Sequence, residues 1–552
     1  MEVSFQHANP FRGNESYVLR FADNVRNQTA CILVDAGTGV EVESLLDSSS
    51  DDYLAAVLLT HAHVDHYSTL AENIVHQAPV YAASDTAAIL PEVFAVGTDH
   101  YDLENTDAVL DAVEPIDGWE QVTADIRVRP IPAGHAPGAA GFCIQFDDCG
   151  ESHTLLATGD FTCRRAAGYP GLETAPSIDV DGIFLTGTTA NDLETTLTDA
   201  VGTILTRAQA GSTTLVTTSG LTGVHLAYLL ANAGEQYDID VPISLVGHVA
   251  KLATRLEYDH DALEFVPEFH HSDRCLASGQ ITIAGPEVPV DGSARRLFQA
   301  IREDAGATLV QVTNGGPDPV SSAPCTVYEF TIKNHPTKET IDEVVDALSP
   351  TQIVIVHQTG SNADRYKDQY DSFVWATDDD EIHTLYDDGW QPPPWVTEAT
   401  RQRVRTRSGQ RRKQLVGDSV SGLELSFPRV ERASDVDLEA EGLNVTTLHD
   451  RLANPSAEFS ANASSSESLS EMDVLEPERE TTDDTTTDGR LQAILDRLDG
   501  IERSISTAQT EVAAQVVDAG DESTLLRVHD PTVFEDATHG DTVTIAVVSE
   551  NE

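Results

Sequence analysis

Short apolar runs alternate with polar loops and helix-spaced segments through most of the chain. Ala30-Cys31-Ile32-Leu33-Val34-Asp35 reads as a buried strand running into Ala36-Gly37-Thr38-Gly39, followed by a helix-like stretch at Glu41–Leu46. Ala55-Ala56-Val57-Leu58-Leu59-Thr60 is a second buried strand, ending on a polar loop rich in histidine. Leu155–Ala157 and Gly182–Leu185 repeat the pattern of a strand leading into a polar loop. Such alternation predicts an α/β sandwich over residues 1–190. Residues 191–315 read as a second α/β unit, with strands at Thr213–Thr217 and Val241–Leu245 around a helix at Gly223–Ala233. Over 325–390 the pattern gives a buried strand at Ile353–Val356, then Phe373–Ala376 and Glu381–Tyr386 as a hairpin around Thr377-Asp378-Asp379-Asp380.

The character changes after Trp390-Gln391-Pro392-Pro393-Pro394-Trp395. Arg401–Lys413 holds seven basic residues and no acidic one, and residues 417–488 are rich in Ser, Thr, Asp and Glu, a composition that predicts disorder. Leu491, Ile494, Leu498, Ile501, Ile505 and Val512 fall at heptad spacing, so 489–517 is expected to be a short coiled-coil helix interrupted by Gly500. Two short β-like stretches are expected within 523–548, the second at Thr542–Val548.

Charge changes the picture of habitat. Of 552 residues 33 are Lys or Arg and 92 are Asp or Glu, a net charge of −59, and the five lysines begin only at Lys251. Acidity spread along the whole chain would repel itself in dilute buffer. In molar salt the Debye length falls to about 3 Å and the repulsion is screened, which points to a salt-filled cytoplasm of the halophilic archaeal kind. A hydrophobic fraction of 40% supports a real core, and the periodic apolar segments of the first 390 residues argue against an acidic chaperone or a largely disordered chain. No run of eighteen apolar residues occurs, so no transmembrane helix and no membrane partner are expected. The opening Met1-Glu2-Val3-Ser4-Phe5 lacks the charged and apolar regions of a secretory signal, and six cysteines without a CxxC pair give no disulfide framework.

The strongest chemical signal is Thr60-His61-Ala62-His63-Val64-Asp65-His66, three imidazoles and a carboxylate within six residues after a buried strand. Imidazole nitrogen and carboxylate oxygen are the ligands a zinc-like ion takes at about 2.0–2.2 Å. His61 and His63 alternate along an extended loop and can face one ion, while Asp65 and His66 follow on the next turn and can face a second.

This HxHxDH motif resembles that of the metallo-β-lactamase fold superfamily. The resemblance implies further ligands at His135 in Ala133-Gly134-His135-Ala136-Pro137-Gly138, Asp160 in Thr158-Gly159-Asp160-Phe161, and His357 after Val354-Ile355-Val356. It would give His61, His63 and His135 to one ion, Asp65, His66 and His357 to the other, and Asp160 to both. Two zinc ions are the implied cofactor, with manganese as the alternative. Paired ions of this kind activate a water for hydrolysis, which Asp65 would orient.

A second domain between Asp160 and His357 is similar to the β-CASP arrangement of nucleic-acid nucleases. Asn334-His335-Pro336-Thr337-Lys338-Glu339 resembles that branch's motif B, which implies His335 as the acid protonating the leaving group. A histidine at 357 is similar to the RNA-cleaving branches, ribonuclease J and the polyadenylation cleavage factor. Two departures stand out. Thr186 occupies the place of an acidic motif-A residue in Phe184-Leu185-Thr186-Gly187-Thr188, and Lys333-Asn334-His335 replaces Ser-Gly-His. Arg164 and Arg165 are candidate phosphate contacts, and the basic segment a candidate grip on RNA.

The expected fold is thus an αββα metallo-β-lactamase sandwich with an inserted β-CASP-like α/β domain and a largely disordered acidic tail. Its parts are the first part of the core at 1–190, the insertion at 191–315, the closing part of the core at 316–395, a basic segment and acidic linker at 396–488, the coiled-coil helix at 489–517 and a β-like end at 518–552. The expected activity is RNA phosphodiester hydrolysis, with association into a homo-oligomer through 491–512. A thioester or lactone hydrolase and a catalytically weak RNA-binding or assembly subunit are the rivals.

Overall fold

The computed structural model describes residues 1–23, 27–47, 51–100, 103–173, 179–316, 318–415, 436–453, 514–518 and 524–528. Residues 1–465 form one compact unit and 466–552 another.

Strand patterning separates two cores. In β1 (Glu2–His7) Val3 and Phe5 face one interior layer, as period-two alternation requires. In β4 (Asp52–Leu59) the run from Leu54 onward is apolar because both faces are covered. Ala56 and Leu58 join Phe5 between the sheets, while Leu54, Val57 and Leu59 face the helical layer on the other side.

Among the described residues the first sheet has the order β20-β1-β2-β3-β4-β5-β6, with β2 (Tyr17–Asp23), β3 (Gln28–Val34), β5 (Val80–Ala83), β6 (Val113–Ile116) and β20 (His383–Asp387). The second runs β19-β18-β11-β10-β9-β8-β7, with β7 (Glu120–Thr123), β8 (Ile126–Pro132), β9 (Ala140–Asp148), β10 (Glu151–Ala157), β11 (Gly182–Thr186), β18 (Gln352–Val356) and β19 (Phe373–Trp375). Phe142, Ile144, Leu155, Phe184 and Val354 of the second sheet pack on Phe5, Leu19, Ile32 and Leu58 of the first. Tyr17 stacks on Phe184 with ring centroids 4.5 Å apart.

Between β11 and β18 lies a six-stranded sheet, ordered β14-β13-β15-β12-β16-β17. Its strands are β12 (Thr213–Thr217), β13 (Ile243–Val246), β14 (Leu263–Val266), β15 (Ile281–Ala284), β16 (Ala307–Thr313) and β17 (Thr326–Thr331). All of its pairings are parallel. β17 pairs along its whole length with β16, so this sheet extends past residue 315, where the sequence reading ended the second unit.

Two further expectations are corrected. Phe373–Ala376 and Glu381–Tyr386 do not form a hairpin. β19 pairs parallel with β18 in the second sheet, and β20 pairs antiparallel with β1 in the first, so Thr377–Glu381 crosses between the sheets. Alternation shows that a segment is a strand but not which partner takes its edge. The expected acidic linker also contains an ordered stretch, 436–453, including the helix Val445–Ala453. Leu438, Leu443, Leu448 and Leu452 are buried, a spacing that composition alone hides. The Arg165 amide donates to the Ala440 carbonyl at 2.8 Å, and the Gly168 amide to Glu441 Oε1 at 2.8 Å. The Asn444 amide donates to Thr198 Oγ1 at 2.9 Å and Arg451 reaches Asp199 at 2.6 Å, both on the helix Leu193–Gln209. The segment therefore spans the loop after Asp160 and the first helix of the six-stranded layer.

The basic segment is helical over Glu398–Leu415, with Val404 buried and Arg403 3.5 Å from Asp371. Residues 489–513 and 542–548 lie outside the described residues. In the second unit β21 (Ala514–Asp518) pairs antiparallel with β22 (Thr524–Val528), so 514–517 are strand where a helix was expected. No helix among the described residues is long and apolar enough to cross a membrane.

Candidate metal centre

The polar residues gather beyond the ends of the parallel strands. Asp35 follows β3 and Thr60–His66 follow β4. Asp160 follows β10, Thr186 ends β11 and His357 follows β18. His135 lies in the loop between β8 and β9, and His335 four residues past β17. The two sheets meet at this edge with little room to spare. Gly159 has φ +56°, and a Cβ on it would stand 2.7 Å from Thr60 Cβ. A Cβ on Gly37 would fall 2.0 Å from the Asp65 carbonyl oxygen.

Within this edge four overlapping sets of donors each lie within 4.8 Å of one another. They are His61, His63 and His135; His61, His66 and Asp160; Asp65, His66 and His357; and His135, Asp160 and His335. All seven residues expected as ligands are brought together, and His335 with them.

Hydrogen bonds fix which nitrogens face inward. Asp35 Oδ2 accepts from His66 Nδ1 at 2.8 Å, so Nδ1 carries the proton and Nε2 turns to the cluster, where it is buried without a hydrogen-bond partner. Thr60 Oγ1 gives its proton to Asp35 Oδ2 at 2.8 Å and can then only accept from His61 Nδ1 at 3.0 Å. His135 Nδ1 donates to the Asn334 carbonyl at 2.6 Å. His61 and His135 therefore both present bare Nε2 atoms, at 3.0 and 3.1 Å from His63 Nδ1. At most one proton can sit among these three nitrogens, so at least one contact sets lone pair against lone pair. A cation between them removes the repulsion. Three nitrogens placed tetrahedrally at about 2.0–2.1 Å from zinc would be roughly 3.4 Å apart, close to the spacing found. The donor set fits a metal ion.

Asp160 occupies the middle. Its Oδ1 accepts from Thr186 Oγ1 at 3.0 Å and from His357 Nδ1 at 2.8 Å. Its Oδ2 lies 3.6 Å from His66 Nε2, 3.8 Å from His135 Nε2 and 3.8 Å from His335 Nδ1, beyond hydrogen-bond reach. Asp65 is the exposed member, with Oδ2 3.8 Å from His66 Nε2 and 3.9 Å from His357 Nε2.

The electrostatics divide the histidines. Burial pushes His61 and His135 down, His63 down to about 3 and His335 down to about 4, so these rings are neutral and free to ligate. Burial opposes charge on His66 and His357 too, but Asp35 and Asp65 raise the first well above its usual range and Asp160 raises the second. The Asp160 carboxyl, despite its burial, is held well below the usual carboxylate range by His357 and His335. The pocket around Asp160 thus favours positive charge.

The comparisons with known proteins bear on this geometry. Residues 31–186 match the family model described as a beta-lactamase superfamily domain. A probable metallo-hydrolase of Streptococcus pyogenes is 29% identical over 161 residues, 27% of this chain and 64% of that protein. A ribonuclease of Thermus thermophilus is 31% identical over 144 residues, 23% of this chain and 30% of its own. Protein artemis of Gallus gallus is 28% identical over 141 residues, 24% of this chain and 19% of its own. The chain thus spans between about a fifth and just under two thirds of the length of these relatives. A crystal structure of a protein of unknown function from Enterococcus faecalis V583 shares the fold, with TM-score 0.51 and 13% identity over 70% of this chain and all of its own. The matched domain ends at Thr186, so His335 and His357 enter the cluster from outside it.

Arg164 is not presented to the cluster. Its side chain lies against Gly442, where a Cβ would meet Arg164 Cδ at 3.5 Å, and the Arg165 amide is bonded to Ala440. Sequence reasoning missed three residues. Asp35, an acid at the end of a buried strand, orients two histidines. Asn334 donates its side-chain amide to the His135 carbonyl, which fixes its own carbonyl against His135 Nδ1. Glu15, buried in the loop between β1 and β2, accepts from the Asn9 amide, and burial raises its carboxyl. Only Asp35 offered a signal, since an acid closing an apolar strand has no packing role.

Proposed function

We propose that this chain is a metal-dependent hydrolase that cleaves RNA phosphodiesters at a two-zinc centre, with the six-stranded sheet as a β-CASP-like layer over the cleft. The observation that carries the reading is the meeting of bare imidazole nitrogens around Asp160, with His335, just beyond the last strand of that layer, inside the same cluster. The likeness to a ribonuclease of Thermus thermophilus supports RNA as the substrate class.

His61, His63 and His135 would hold one ion, Asp65, His66 and His357 the other, and Asp160 would serve both. When bound, such ions supply Lewis acidity toward a phosphoryl oxygen, lower the pKa of a water toward neutrality and offset the negative charge of the carboxylates. Asp65, the exposed carboxylate, accepts a hydrogen bond from the attacking water and so sets its direction. Asp35 holds His61 and His66 in the tautomers that ligate. His335, whose ring burial keeps neutral, would have to take up a proton before it could protonate the leaving oxygen. The basic helix Glu398–Leu415 would contact the RNA backbone through its arginines.

End-labelled single-stranded RNA incubated in molar KCl with zinc or manganese tests the reading, beside an Asp65→Ala/His66→Ala double variant. Discrete fragments or mononucleotides, absent with the variant, are the expected result. Intact RNA under every metal condition would overturn it in favour of a small-substrate hydrolase or an RNA-binding subunit.

A further inference from the structure

The two sheets repeat one device. In each, antiparallel strands give way to parallel ones, at β3–β4 in the first sheet and at β10–β11 in the second. An aspartate follows the first parallel strand, Asp35 after β3 and Asp160 after β10. A threonine stands at the end of the second, Thr60 directly after β4 and Thr186 closing β11. Each threonine hydroxyl donates to its aspartate, Thr60 to Asp35 at 2.8 Å and Thr186 to Asp160 at 3.0 Å. All four side chains are buried.

We propose that Thr186 is a positioning residue that fixes the rotation of the Asp160 carboxylate, rather than the vacant place of an acid. The proposal rests on reading Asp160 as a metal ligand. Oδ1 takes both available donors, Thr186 Oγ1 and His357 Nδ1, which leaves Oδ2 directed at His66, His135 and His335. Because the two oxygens are equivalent, a half turn restores the same arrangement, but any intermediate rotation would break both bonds. The β-branched side chain in a strand has few rotamers, so the donor is preorganised. A glutamate or aspartate here would set a second buried carboxylate beside Asp160, where like charges repel and no proton is available to donate.

The test titrates zinc or cobalt against a chromophoric chelator for the wild-type protein and for Thr186→Val, Thr186→Ser, Thr186→Glu and Asp160→Ala. Valine keeps the shape and removes the hydroxyl. Metal affinity is expected to fall by about 10–100-fold in Thr186→Val, the usual effect of losing an outer partner of a ligand, with the metal-free fold retained and its melting temperature lowered only by the loss of one buried hydrogen bond. Thr186→Ser, which retains the donor, should return to within about threefold of wild type. Wild-type affinity in Thr186→Val, equal damage in Thr186→Ser, or tighter binding in Thr186→Glu would each overturn the proposal. A wild-type protein that takes up no ion would instead remove the proposed metal centre, and Thr186 with it.

Discussion

Each seven-stranded sheet has three antiparallel pairs followed by three parallel pairs. Each carries its polar residues past the parallel strands. The first sheet supplies its set from two neighbouring strands and one loop, Asp35 and Thr60–His66. The second brings together Asp160 and His357, bonded at 2.8 Å but 197 residues apart, with the whole six-stranded sheet between them. Its remaining histidine, His135, is braced by Asn334 across 199 residues. One half of the cluster can form as soon as β3 and β4 pair. The other forms only when the inserted layer has folded and its exit strand has returned. Closing so long a loop costs little extra free energy, since the cost grows only with the logarithm of length, but non-local contacts form late.

The largest effect is expected at Asp160, in the middle of the cluster. Asp160→Ala should abolish RNA cleavage and cost more metal affinity than the roughly 10–100-fold of an outer partner, read by gel assay and metal titration. The dependence of the second half on distant chain can be sharpened at Leu448, which is fully buried in the segment 436–453. Leu448→Ala should weaken docking of that segment by about 2–5 kcal/mol. Hydrogen exchange would then quicken at Arg165 and Gly168, whose amides bond to the segment, and stay unchanged over 57–66. Equal quickening in both places would mean that the halves are not independent. Asp35→Asn should weaken metal binding by about 10–100-fold at both positions, because one carboxylate orients His61 and His66. Loss confined to one ion would break that account. Arg451→Ala removes an ion pair with Asp199 in which the arginine is largely buried, together with its hydrogen bond to Thr203 Oγ1; the ion-pair part, about 0.2–1 kcal/mol, should be lost in molar KCl while the rest of the destabilisation remains.

The same division governs what could be read in advance. The cluster His61–His66 is legible because a loop fixes its geometry through spacing alone. His135, Asp160 and His357 carry no local mark beyond following strands, and only family resemblance singled them out. Asn334 acts through a carbonyl placed by tertiary contact, which no residue type announces. In the fold, apolar runs located most strands, but pairing partners are set by neighbours distant in sequence, so β19 and β20 were assigned to each other. The segment 436–453 was missed for another reason. Four leucines in an acidic stretch are too few to shift its composition, yet sufficient to fill a groove that is already built.

That docked segment bears on how the protein can be shortened. A chain cut after Leu415, where the composition turns acidic, would lose the cover over Thr198, Gly202 and the apolar flank of the helix Leu193–Gln209. It would also leave Glu441's partners His225 and the Gly168 amide facing water. Such a protein would keep every residue of the proposed centre and still tend to self-associate through the bared strip. A peptide of residues 436–453 supplied in trans should restore it to the monomeric state.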